Sequence, residues 1–150
     1  MKSKNDICEI IKLGENETVE FKQSFDKETI DSVVAFANHK GGQIFIGIKD
    51  NGTLLGINYS CETLQKYINQ IKVSTEPSLI VDIETILISE KNLMIITVDE
   101  FPVKPVNFKG RYFKRVKNSN HQMNLTEISN LYLRSLQLSK EKGHTSTLLL

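Results

Sequence analysis

The sequence predicts an α+β fold: one mixed, largely antiparallel sheet with helices packed on it. Helix-periodic stretches and strand-like stretches are interleaved along the chain, and consecutive strands are separated by tight-turn dipeptides such as Asn51-Gly52 and Lys109-Gly110. A chain of 150 residues, 39% hydrophobic and 25% charged, is long enough for one domain with a sizeable core.

Residues 5–13 place Ile7, Ile10, Ile11 and Leu13 at helical spacing and stop at Gly14, a short lead-in helix closed by its glycine. Glu17 to Lys22 alternates, with Val19 and Phe21 on one side, as a half-buried strand does. From Glu28 to Asn38, Ile30, Val33, Val34 and Ala37 recur at i, i+3, i+4 and i+7, and Ala35 and Phe36 widen that stripe. The stretch Asn38-His39-Lys40-Gly41-Gly42 then ends the helix and turns the chain, because both glycines accept positive φ. Ile44 to Ile48 reads as a strand buried on both faces, and Asp50-Asn51-Gly52 as a hairpin turn into a return strand, Thr53 to Ile57.

A helix over 61–73 carries Leu64, Tyr67, Ile68 and Ile71 on one face, and Pro77 blocks its continuation. Strands over 79–88 and 93–98 flank a turn at Glu90-Lys91-Asn92. Val106 to Phe108 and Arg111 to Val116 flank the two-residue loop Lys109-Gly110. A last helix starts near Leu125, with Asn124 as cap, Glu127 completing a capping box, and Ile128, Leu131, Tyr132 and Leu136 facing inward. The expected organisation is a lead-in helix (1–13), a single domain (14–138) and a frayed tail or linker (139–150).

The formal net charge of +1 implies no polyanion partner by itself, so any nucleic-acid footprint must come from local clustering. Cys8 and Cys61 lack the spacing of a zinc site or a disulfide scaffold. With no apolar run near the length of a membrane span and no continuous apolar h-region at the N-terminus, a cytoplasmic protein with no membrane partner is the expectation.

Charge does cluster. No Asp or Glu occurs from Phe101 to Thr126, whereas Lys104, Lys109, Arg111, Lys114, Arg115 and Lys117 do, interleaved with Phe108, Tyr112 and Phe113. Such a surface can neutralise phosphates and stack unpaired bases. Lysines that merely keep a strand edge from aggregating would produce the same composition.

Carboxylates form a second group: Glu15, Glu17 and Glu20 near the first strand, and Asp50 after the buried one. Converging, Glu20 and Asp50 with a third acid would suit Mg²⁺ or Mn²⁺ and water activation. Solvated loop charges and the first residue of a β-turn explain the same residues more simply. Gly41-Gly42 follows a helix C-terminus rather than preceding an N-terminus, so it is structural rather than a phosphate cradle.

"ENETVEFKQSF", "VVAFANHKGGQIFIGIKDNGTLLGI" and "FPVKPVNFKGRYFKRVKNSN" with the helix after them resemble the Schlafen AlbA_2 domain over about residues 14–134. That domain is associated with DNA binding at the N-terminus of many prokaryotic transcriptional regulators and also occurs in Schlafen proteins. The resemblance implies a nucleic-acid-binding module for DNA or structured RNA, gripping phosphates through Lys104, Lys109, Arg111, Lys114, Arg115 and Lys117 with Tyr112 beside them. By analogy it also allows an Alba-like homodimer and a C-terminal effector domain.

Schlafen endoribonucleases use a metal-dependent three-carboxylate centre, and Glu15, Glu20 and Asp50 match its spacing. Lys49, however, stands where the first acid of the usual Asp-Asp pair is found. The hairpin also departs from the family, with Arg115-Val116-Lys117-Asn118-Ser119 where Arg-x-Gly-Ser is common. The alternatives to a binding module are therefore an Mg²⁺- or Mn²⁺-dependent endoribonuclease using those three acids, and a protein-interaction domain.

Overall fold

A computed structural model describes residues 3–141. Helix α1 (Lys4–Leu13) starts at a capping box in which Ser3 and Asp6 exchange hydrogen bonds, and it ends at Gly14 with φ +83°. Strand β1 (Val19–Lys22), helix α2 (Lys27–Ala37) and strand β2 (Gly42–Ile46) form a parallel βαβ unit with Val19 opposite Gln43 and Lys22 opposite Ile46. Helix α3 (Cys61–Ser74) runs directly into the two-residue strand β3 (Thr75–Glu76). Strands β4 (Asp82–Ile88) and β5 (Lys91–Val98) make an antiparallel hairpin whose second strand pairs with β2, so the main sheet has the order β1-β2-β5-β4. Strand β6 (Asn107–Phe108) pairs with β3, and β7 (Phe113–Val116) with β8 (Ser119–Gln122), before helix α4 (Leu125–Glu141). The sheet is mixed and largely antiparallel, as expected of this α+β chain.

The two central strands are apolar on both faces because both faces are covered. Ile44, Ile46, Met94, Ile96 and Val98 pack with Val33, Val34 and Phe36 of α2 and with Ile71 of α3. Phe45, Leu93 and Ile95 point the other way, onto Ile7 of α1 and onto Val19 and Phe21. Phe21 and Phe45 meet edge to face, with ring centroids 6.1 Å apart. Helix α2 is buried from Thr29 to Ala37 apart from Asp31, since β7 and β8 cover the side that the sheet does not.

The Asn38-to-Gly42 turn is fixed by close approach. Gly41 has φ +78°, and a Cβ there would lie 2.6 Å from the carbonyl oxygen of Val98. A Cβ on Gly42 would lie 2.7 Å from the Thr18 carbonyl oxygen and 2.9 Å from the Phe36 ring. Asn38 staples the basic segment to α2: its amide nitrogen donates to the carbonyls of Val106 and Phe113 at 2.9 and 3.0 Å, and its Oδ1 accepts from the Val106 amide at 2.6 Å.

Several local expectations are corrected. The strand expected at 44–48 is Gly42–Ile46, because Gly47 takes φ +104° and breaks the extension. The turn at Asp50-Asn51-Gly52 forms, but the return strand shrinks to one bridge, Ile48 to Leu54, because Gly47's carbonyl instead accepts from Leu55 and Gly56. The β4–β5 turn is Ser89-Glu90, at φ +49° and +63°, one residue earlier than the asparagine suggested. Lys109-Gly110 does turn the chain, closed by two Phe108–Arg111 hydrogen bonds, but β6 finds its ladder partner in β3. A second hairpin, β7–β8, turns at Lys117-Asn118, within the Arg115–Ser119 stretch that departs from the family pattern, and its second strand is not among the expected elements. Tyr132, expected to face inward, is 47% exposed; among the described residues the buried position on α4 is Ser135, whose hydroxyl bonds both the amide and the carbonyl of Lys104. The expectation of a frayed tail lies, for residues 142–150, outside the described residues.

Candidate functional site

The segment that lacks acids in sequence does not lack them in space. Lys104 is buried, with Nζ 2.7 Å from Glu100. Arg111 donates to Asp31 at 3.0 Å and lies over the rings of Phe108 and Phe113, 5.4 and 5.0 Å from their centroids. Lys114 is paired with Glu127. Tyr112 is half-buried, and its carbonyl receives the Met123 amide.

Arg115 is inaccessible: Nη1 donates to Glu20 at 2.6 Å and to Asn120 at 2.8 Å, and Nη2 donates to the carbonyls of Asn16 and Val19 at 2.9 and 3.1 Å. Its Nε is buried without a hydrogen-bond partner, and Cζ sits 4.8 Å from the Phe36 ring centroid. Lys109 and Lys117 are different. Each is exposed at the tip of a reverse turn, at φ +51° and +56°, and among the described residues neither forms an ion pair.

The carboxylates do converge in part. Glu15, Glu20 and Asp50 line one polar groove together with Asp26 and Glu28. Burial pushes the Glu15 carboxyl up to about 8; its hydrogen bond to Glu20 and the charges of Glu20 and Asp50 add to the rise, which the Phe21 amide opposes. Glu17 is not in this cluster: it bonds His39 and Lys40 at 3.3 and 3.2 Å, and Lys40 and His39 hold its carboxyl below the usual range. Among the described residues no three His, Cys, Asp or Glu side chains are grouped so that they could hold a metal ion. Glu20 is already committed to a buried guanidinium, and the burial that raises the Glu15 carboxyl opposes its ionisation. The donor set as arranged does not fit the three-carboxylate metal centre.

A second groove lies where α2 ends. His39, Lys40, Glu100 and Lys104 line it together with Lys114 of β7 and with Glu127 and Arg134 of α4. The Lys114 ammonium and the Asn124 amide together hold the Glu127 carboxyl below its usual range. Asn38, Asn120, Asp31, Glu100 and Glu127 are the positioning groups that the sequence reading did not assign; Asn38 and Asp31 act far across the chain, Glu127 reaches back thirteen residues to Lys114, Asn120 bonds both the nearby Arg115 and the distant Ser32, and Glu100 acts locally. Only Glu127 had a local signal, its place in the Asn124 capping box.

A model of the Schlafen AlbA_2 family matches residues 15–124. The chain belongs to this family. A curated relative, an uncharacterized ATP-binding protein of Ureaplasma parvum, is 34% identical over 87 residues, covering 53% of this chain and 24% of that protein. The chain therefore spans about a quarter of the length of this relative. Among solved structures, the DIP2311 protein of Corynebacterium diphtheriae superposes with a TM-score of 0.63 at 17% identity, over 77% of this chain and 23% of that one. The N-terminal domain of a Nitrosomonas europaea protein related to the ATP-dependent DNA helicase RecG gives 0.58 at 21% identity, over 83% of this chain and 95% of that domain. At these identities the two structures establish the AlbA_2-like fold and nothing finer. Among the described residues no helix is long and apolar enough to cross a membrane.

Proposed function

We propose that this domain binds nucleic acid through its phosphate backbone and serves as the DNA- or RNA-contacting module of a transcriptional regulator. The observation that carries the reading is the pair of reverse turns that hold Lys109 and Lys117 exposed and unneutralised, in a chain whose other hairpin cations are matched by acids. Membership of the AlbA_2 family supports it, and the RecG-related neighbour is consistent with it. Of the six hairpin cations, Lys104 and Arg115 are too deeply buried to meet a phosphate, so Lys109, Lys117, Arg111 and Lys114 supply the contacts from this segment.

Fluorescence anisotropy with duplex DNA and with a structured RNA, at two or more salt concentrations, tests the proposal. Each phosphate neutralised on a duplex contributes about −0.9 to the slope of log K against log salt. Lys109→Glu with Lys117→Glu should therefore weaken binding and flatten the slope by about 2. Binding that does not change with salt, or none to either probe, refutes the reading. Cleavage of the RNA with Mn²⁺ that is lost in Glu20→Gln would instead bring forward the endoribonuclease alternative.

A further inference from the structure

We infer that the groove between the end of α2 and the first half of α4 is a phosphate-backbone channel, in which the carboxylate of Glu127 stands in for a nucleic-acid phosphate on Lys114. The inference rests on the nucleic-acid reading above, but uses residues outside the hairpin tips.

Four observations support it. Lys40, Lys114 and Arg134 line the groove with His39, while Lys104 and Arg115, which also line it, are buried and matched by Glu100 and Glu20. An excess of cations around a concave surface attracts polyanions more strongly than the near-neutral chain as a whole would. The cations at its mouth are available: Lys40 has a side chain 63% exposed, and its partner Glu17 is also solvated.

The cations are also spread out. Arg134 follows Glu127 by seven residues on α4, which puts it on the same helix face about two turns, or roughly 10 Å, further along. A phosphodiester strand can follow that spacing from Lys114, held at Glu127, to Arg134. Among the described residues no aromatic ring lines the groove, and Met123, Leu131 and Leu138 are its apolar members. A base would have nothing to stack on, so the surface reads backbone rather than sequence.

Glu127 is what makes the site releasable. One of its oxygens accepts the Asn124 amide and closes the α4 capping box, while the other pairs with Lys114. A glutamine at this position keeps an acceptor for the Asn124 amide and loses the charge that occupies Lys114. Glu127→Gln should therefore bind nucleic acid more tightly, an effect that damage to the fold would not produce.

The experiment measures duplex DNA binding at about 0.1 M salt for wild type, Lys40→Glu with Arg134→Glu, Glu127→Gln, and Lys109→Glu with Lys117→Glu, with melting curves as fold controls. Losing one phosphate contact at that salt costs about eightfold in affinity, so the Lys40/Arg134 pair should lose ~60-fold and about 2 in salt slope. Glu127→Gln should gain several-fold, up to about eightfold. Wild-type binding that survives the Lys40/Arg134 pair within twofold, or a Glu127→Gln variant that binds no tighter, overturns the channel and leaves the nucleic-acid reading standing. Absence of binding by wild type overturns both.

Discussion

Replacing Arg115 by methionine removes a guanidinium whose side chain is 0% exposed and which holds Glu20, Asn120 and two backbone carbonyls. The methionine fills much of the stem's volume but leaves the Glu20 carboxylate, 12% exposed, without its partner. Removing one member of a buried pair typically costs about 3–5 kcal/mol, because the other charge stays behind. For a domain of this size that corresponds to a fall in Tm of about 10–15 °C. Urea denaturation followed by far-UV circular dichroism should show a lower midpoint with an unchanged m-value. Adding Glu20→Gln should restore part of the loss, a coupling of about 1 kcal/mol or more in the double-mutant cycle. The reasoning fails if Arg115→Met costs under about 1 kcal/mol while nucleic-acid affinity drops, since Arg115 would then be a phosphate ligand rather than a structural ion pair.

Glu15 gives a pH dependence of unusual sign. Its folded pKa of about 8 lies above the ordinary 4.5, so the folded state holds the proton more tightly, and stability is lost as pH rises from about 4.5 through about 8. After allowance for solvent screening this amounts to about 1–2 kcal/mol, and Glu15→Gln should flatten the Tm–pH curve over that window and be the more stable form at pH 8. Asn38→Asp removes the donors that the Val106 and Phe113 carbonyls receive and should cost ~3 kcal/mol in chemical denaturation; a loss below 1 kcal/mol would contradict the stapling role. Gly41→Ala, with φ +78° and the Val98 carbonyl 2.6 Å from the new Cβ, should lower Tm well beyond Gly14→Ala, where φ is +83° but nothing lies within 4 Å. Equal losses of about 1–2 kcal/mol would mean that backbone conformation alone explains both.

The parts of this fold that were legible in the sequence are those with local causes. Helix periods, the Asn124–Glu127 capping box and the glycine that closes α1 all act within a few residues, and the structure places them where the pattern did. The second strand of the β7–β8 hairpin was not legible, because Lys117-Asn118 turns without a glycine and β8 is a polar strand, Ser119 to Gln122, with no alternation to read. The return strand after Asp50-Asn51-Gly52 was over-read for the converse reason: a strong local turn signal says nothing about whether a ladder continues.

The candidate site shows the same division more sharply. That Lys104, Lys109, Arg111, Lys114, Arg115 and Lys117 cluster is a fact of composition, but which of them stay free depends on acids up to ninety-five positions away, as Glu20 is from Arg115.

Arg115 also connects the two charged regions. A metal ion bridging Glu15, Glu20 and Asp50 would need Glu15 deprotonated, which its burial opposes, and Glu20 shared or released by a guanidinium that also holds two strand-end carbonyls. Each step has a cost, and the second is of the order of a buried ion pair, about 3–5 kcal/mol. The same guanidinium anchors β7 to β1, and so sets where the neighbouring Lys114 stands relative to α4. A single buried cation thereby pairs with Glu20 of the acidic groove and also lines the basic one, beside Lys114.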